Sequence, residues 1–169
     1  MTNLSLEKQS DLYFWMATIN LWHDGNDVTY EFIRKAVEAS NKNPEANYLN
    51  VDLQKLRDLE NMPELEDYFA QKIENPSNIR QYEKTLLAKA AYKIAGNYVS
   101  KKDYNKALSY FVKSEELNPW NLTYNMSLSG TYLFLEKPEE AKHVLNKCIE
   151  NLKESSTECR DRLTSINPK

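Results

Sequence analysis

The chain has 169 residues, 28% of them charged and 41% apolar, with 3 Gly and 6 Pro, a size that gives one domain with a modest core or a short repeat array. Three glycines cannot supply the turns of a barrel, a sandwich or a doubly wound sheet, nor a Gly-rich phosphate loop, so the composition directs the chain to helices joined by short polar turns. A formal charge of −3 lacks the basic footprint of a nucleic-acid reader, and the acids gather early, with 9 Lys+Arg against 15 Asp+Glu through Lys84 and 13 against 10 from Thr85 on.

Polar clusters punctuate the chain at Asp24-Gly25-Asn26-Asp27, Asn41-Lys42-Asn43-Pro44, Asn61-Met62-Pro63, Asn75-Pro76-Ser77-Asn78, Asn118-Pro119 and Lys137-Pro138. Asn, Asp and Ser oxygens accept the orphan amide hydrogens of a helix start, and Pro fits a first turn because its missing N–H costs nothing there. The breaks predict helices over 6–23, 28–41, 45–60, 63–74, 78–101, 103–118, 121–136, 138–152 and 156–166.

The first of these carries Trp15 and Trp22 seven residues apart on one face, a spacing expected of core. Its apolar stretch from Leu12 to Leu21 is interrupted by Thr18 and Asn20 and falls short of the roughly 20 residues of a spanning helix. No basic region precedes it, so we expect a chain that is soluble as given. The second and fourth helices are one-sided, through Phe32, Ile33, Ala36 and Val37 and through Leu65, Tyr68, Phe69 and Ile73, while the acids from Glu60 to Glu74 read as a solvated face. In the sixth, Tyr104, Ala107, Leu108, Phe111 and Leu117 oppose Lys102, Lys106, Lys113 and Glu116. Each such helix is marginal alone and needs a neighbour.

A shift of 34 residues superposes Ile94 on Leu128, Ala95 on Ser129, Gly96 on Gly130, Tyr98 on Tyr132, Ala107 on Ala141, Phe111 on Leu145, Ser114 on Cys148 and Glu116 on Glu150. Small falls on small and large on large, as stacked helix hairpins require where they cross. The stretch from Ala91 through Gly96 and Tyr98, then Asp103-Tyr104, Ala107, Phe111 and Leu117-Asn118-Pro119, resembles a tetratricopeptide repeat, and Leu128, Ser129, Tyr132, Pro138, Ala141, Leu145 and Cys148 carry a second. The resemblance covers 88–121 and 122–152 and fades upstream, where Pro63-Glu64-Leu65-Glu66 and Lys35-Ala36-Val37-Glu38 are degenerate echoes. It implies an all-α solenoid over residues 1–169 as one helical repeat domain, with degenerate hairpins at 6–41 and 45–74, a repeat with an extended first helix at 78–121, a second repeat at 122–152 and a capping helix at 156–166.

In this family the first helix of each pair lines a concave face, which implies a groove of Lys89, Tyr92, Lys93, Gly96, Val99 and Ser100 from one repeat and Thr123, Met126, Ser127, Gly130, Leu133 and Phe134 from the next. Gly96 and Gly130 remove side chains from that wall, so a ligand backbone can come close. Gly also stands at both positions where some relatives use Asn to capture a C-terminal carboxylate, so we expect an apolar or mixed segment rather than an acidic tail, with Lys89 and Lys93 in charge contact.

Eleven residues separate Cys148 from Cys159. On one straight helix that is roughly 16 Å between Cα atoms, beyond the reach of a disulfide, so a bridge needs a chain reversal near Ser155-Ser156. Cys148 also stands where the repeat wants a small residue, and a buried free thiol serves equally. His143 and Cys148 lie about 140° apart around a helix and make no catalytic pair. His23, His143 and the two cysteines lack metal-site spacing. Trp120, after Pro119, is expected to plug the junction between the repeats, and Asn3, Asn121 and Asn125 begin glycosylation acceptor patterns.

These features lead us to expect a non-catalytic module without metal or cofactor that binds a protein or peptide, serving as adaptor or assembly scaffold, with no nucleic acid and no membrane insertion. We expect the cytoplasm, or the periplasm or another extracytoplasmic space if Cys148 and Cys159 are bridged. The alternative is a docking domain of a larger cell-envelope, membrane-associated or glycan-processing assembly.

Overall fold

The structure, a computed structural model, describes residues 4–22, 26–75 and 79–166. His23, the Asp24-Gly25 break, the Asn3 acceptor pattern, the Pro76–Asn78 break and the start of the fifth helix at 78 lie outside them. Among the described residues there are nine α-helices, one short 3-10 turn and no strand: α1 (Leu6–Trp22), α2 (Asn26–Ala39), α3 (Pro44–Asp58), α4 (Glu64–Glu74), α5 (Gln81–Ser100), α6 (Tyr104–Leu117), α7 (Leu122–Phe134), α8 (Pro138–Leu152), the 3-10 turn Lys153–Ser155 and α9 (Thr157–Ile166). None is long and apolar enough to cross a membrane. No group of three or more His, Cys, Asp and Glu among them is placed to hold a metal ion.

The starts follow from side chains that answer orphan amides. Asn43 accepts from the Ala46 N–H at α3, with Pro44 in the first turn; Asp103 accepts from Lys106 at α6; Asn121 accepts from Tyr124 at α7. The stops of α5 and α7 are the same turn repeated. Lys102 and Glu136 both take a left-handed backbone, with φ of 60° and 57°. Around each, the next two amides fold back, Lys102 to Val99 and Asp103 to Tyr98 in one, Glu136 to Leu133 and Lys137 to Tyr132 in the other. This double closure satisfies the last carbonyls of a helix, and it recurs 34 residues on.

The described residues form two compact units. One takes α1, α2, α3 and the stretch of α5 up to Leu86; the other takes α4 from Glu66, α5 from Leu87, and α6 to α9. In the first, α1 buries Ser10, Phe14, Ala17 and Leu21, with the Ser10 hydroxyl donating to the Ala36 carbonyl of α2 at 2.7 Å. The expected core stripe of Trp15 and Trp22 is instead exposed, by 64% and 36%. Each stands one residue, or 100° of helix, beyond a buried neighbour, Phe14 or Leu21. In the second unit, Ala95, Ala107, Phe111, Leu128 and Val144 form one core, ringed by Tyr92, Tyr98, Leu108, Tyr110, Val112 and Tyr132.

Candidate functional site

Most of the residues that the 34-residue shift matches lie inside the fold. Ile94 and Leu128, Ala95 and Ser129, Ala107 and Ala141, Phe111 and Leu145, and Ser114 and Cys148 are all buried. Where Ala95, Ser129, Ala107, Ala141 and Ser114 stand, a larger side chain would push the packed helices apart. Tyr92 bridges the repeats: its ring lies 5.6 Å from Phe111 and 5.1 Å from Tyr124, centroid to centroid, and its hydroxyl accepts from Ser127 Oγ at 3.4 Å. A second bridge is ionic, from Lys147 on α8 to the buried Glu115 carboxylate on α6 at 2.8 Å.

The residues expected to line the groove divide by exposure. Gly96, Val99, Ser100, Thr123 and Phe134 are open to solvent; Tyr92, Lys93, Met126, Ser127, Gly130 and Leu133 are half-buried; Lys89 is buried. A burial this deep keeps the Lys89 charge from an open wall, whereas Lys93 stays within reach. Phe134 is 62% exposed and its ring meets that of half-buried Tyr104 at 4.1 Å between centroids, tilted by 40°, so two rings from different repeats form one aromatic platform.

The two glycines are not equivalent. A methyl group added at Gly96 would meet no atom within 4 Å, but at Gly130 it would meet Arg162 Nη1 at 3.3 Å. Arg162 comes from α9, where it donates to the Met126 carbonyl and approaches Ser129 Oγ at 3.2 Å. Met126 itself is packed into the cluster of Leu145, Cys148 and Cys159 with Leu163 and Ile166. α9 therefore occupies the wall at Met126 and Gly130, and the open part lies around Gly96. Sequence reasoning assigned α9 to capping but had no signal for the Arg162 reach, which spans 36 residues.

Cys148 and Cys159 are joined, with Cα atoms 6.4 Å apart. The 3-10 turn at Lys153–Ser155 reverses the chain between them, and Lys153 takes φ of 50° there. Trp120 does not plug the junction: it is 51% exposed, and Ser114, Glu115, Asn118 and Asn125 are the buried groups there. The Asn125 amide donates to the Pro119 and Asn121 carbonyls at 2.9 Å each, holding the linker in place of an apolar plug.

Charge is tuned at one further point. The Tyr98 hydroxyl donates to Glu66 of α4, and this bond to a carboxylate, with burial second, pushes the phenol up to about 12. Tyr98 stacks on Tyr110 at 5.8 Å, with the Lys101 and Lys106 ammonium groups each 5.1 Å from its ring centroid.

No curated protein matches the chain. The model of the tetratricopeptide repeat family matches residues 88–119 and 122–151, which take in α5 from its buried middle, α6, α7 and nearly all of α8. With two helices per match, one repeated turn at Lys102 and Glu136, and a 34-residue period, α5–α6 and α7–α8 are tetratricopeptide repeats.

Proposed function

We propose that the chain is a non-catalytic adaptor or assembly module that receives an apolar or mixed segment of a partner protein along α5 and α7. Tetratricopeptide repeats generally mediate protein–protein interaction. The observation that carries the reading is the open space over Gly96, together with half-buried Tyr92 and Lys93, exposed Val99 and Ser100, and exposed Phe134 tilted against Tyr104. A backbone can approach where no side chain stands, while the rings offer adaptable apolar area and Lys93 a charge.

Gly96→Leu fills that space without touching the core, and Phe134→Ala removes half the platform. The partner captured by the wild-type chain from its source should be lost from both variants while their melting temperatures stay within a few degrees. Full retention by folded variants refutes the groove. Tyr92→Ala is a poorer test, because Tyr92 packs on Phe111 and Tyr124 and its loss would loosen the repeats themselves.

The joined Cys148 and Cys159 support a second reading, a docking domain of an extracytoplasmic assembly, since such bonds persist in oxidising compartments. Alkylation of the chain in intact source cells tests it: thiols that react only after reduction support the reading, and thiols that react at once refute it.

A further inference from the structure

Besides its buried face, α1 carries a second apolar stripe, Leu12, Trp15, Ile19 and Trp22, at steps of three, four and three and between 36% and 64% exposed. That is the spacing of a seam between two helices. Trp15 and Ile19, with Phe14 and Tyr82, line a mainly apolar cavity of about 600 Å³, within the range of binding clefts. Phe14 and Tyr82 meet edge to face at 5.4 Å and fix one wall. The Glu45–Arg80 ion pair stands at the rim. A second hollow of about 440 Å³ shares Phe14, Trp15 and Glu45 and extends the cleft to Glu7 and Asp11. All of these residues belong to the first unit. Along α1 the cleft runs from Glu7 to Trp22, about 22 Å at the helical rise, or about four turns.

We propose that this cleft docks an amphipathic helix of a partner protein, its apolar stripe laid on Trp15 and Ile19 and a Lys or Arg placed beside Glu7 and Asp11. The length matches about four turns of helix, and the seam spacing asks for a helical rather than an extended partner. Charge selects the chemistry. Arg80 is engaged by Glu45, the Asp11 carboxylate accepts a neutral amide from Asn43 at 3.2 Å, and the acidic end keeps a surplus of carboxylates over Lys42. With 12 Asp+Glu against 8 Lys+Arg in residues 1–65 and 77–86, an anionic lipid surface is repelled. A second copy pairing in parallel through the same stripe would set Glu7 and Asp11 against themselves.

In the full chain with Trp120→Phe, Trp15 and Trp22 are the remaining indoles of three, so tryptophan emission reports on the cleft. The probe is an amphipathic Leu/Lys helical peptide of about 14 residues, compared with a Leu/Glu peptide of the same apolar face. The Leu/Lys peptide should shift the emission to the blue saturably at one peptide per chain, about tenfold tighter than the Leu/Glu peptide, and bind about tenfold more weakly after Glu7→Lys with Asp11→Lys. Ile19→Asp, at an exposed position, should abolish the shift in a chain whose circular dichroism is unchanged. Equal binding of both peptides, binding that survives Ile19→Asp, a dimer in sedimentation equilibrium that Ile19→Asp splits, or flotation of the chain with lipid vesicles would each overturn the proposal.

Discussion

Alanine at Gly96 and alanine at Gly130 should part company, although the two glycines occupy the same place in successive repeats. A glycine inside a helix costs about 0.5–1 kcal/mol relative to alanine, because it gives up more backbone freedom on folding. At Gly96 the added methyl meets open space within 4 Å, so Gly96→Ala should return that whole amount, raising the melting temperature by about 1–4 °C for a chain of this size. At Gly130 the methyl stands 3.3 Å from Arg162 Nη1, tighter than ordinary contact. The guanidinium must then give way, and it is held by the Met126 carbonyl and Ser129 Oγ. Loss of one such bond, worth about 0.5–1.5 kcal/mol, offsets the propensity gain and leaves Gly130→Ala neutral or destabilised. Thermal melts followed by circular dichroism at matched concentration read the difference, and Arg162→Ala supplies the control, since in that background Gly130→Ala should stabilise as Gly96→Ala does. If the two alanines shift the melt equally in the wild-type background, α9 does not stand over Gly130 and the placement of the open wall is wrong.

Two further outcomes follow from the same contacts. Joining Cys148 to Cys159 closes a loop over a separation of 11 residues, which by chain entropy stabilises by about 2.8 kcal/mol; Cys148→Ser with Cys159→Ser should lower the melting temperature by about 6–11 °C and speed amide exchange in α9 first, and a melt indifferent to reductant would refute the bond. Because the Tyr98 phenol is raised to about 12 from an unfolded value of 10.0 by its bond to Glu66, its contribution to stability is fully present below pH 10 and is lost as the pH rises toward 12; in an absorbance titration Glu66→Gln should move one tyrosine to lower pH, and a titration unaltered by that variant would count against the bond.

Much of the architecture was legible because the chain marks its own helix ends. Asn43, Asp103 and Asn121 cap α3, α6 and α7 through their side chains, as the polar breaks implied, and of the small residues matched by the repeat period Ala95, Ser129, Ala107, Ala141, Ser114 and Cys148 are buried while Gly96 is open. The candidate groove was legible only in outline. The family resemblance put Gly96, Val99 and Phe134 on an expected lining face, and these three are exposed, but nothing local to Gly130 indicates that Arg162 covers it, because that contact depends on the turn at Lys153–Ser155 bringing α9 back over α7. α1 misled for a different reason. It is apolar nearly all round, so Phe14 and Trp15 compete equally in the sequence for the core, and packing against α2 decides between them. At the repeat junction a Trp after Pro is the natural plug by sequence, yet hydrogen bonds from Asn125 to the linker carbonyls fill that role while Trp120 stands half exposed.

α9 begins at Thr157, one residue past the point where the 34-residue period would start the leading helix of a third repeat. Stacked arrays have adhesive ends, since each hairpin presents the surface on which its successor would sit. Here that surface is covered by α9, a single helix fastened through sulfur to the hairpin beneath it. The bond thus returns α9 to its seat on α8 each time the packing of those ten residues loosens, which packing alone would not ensure.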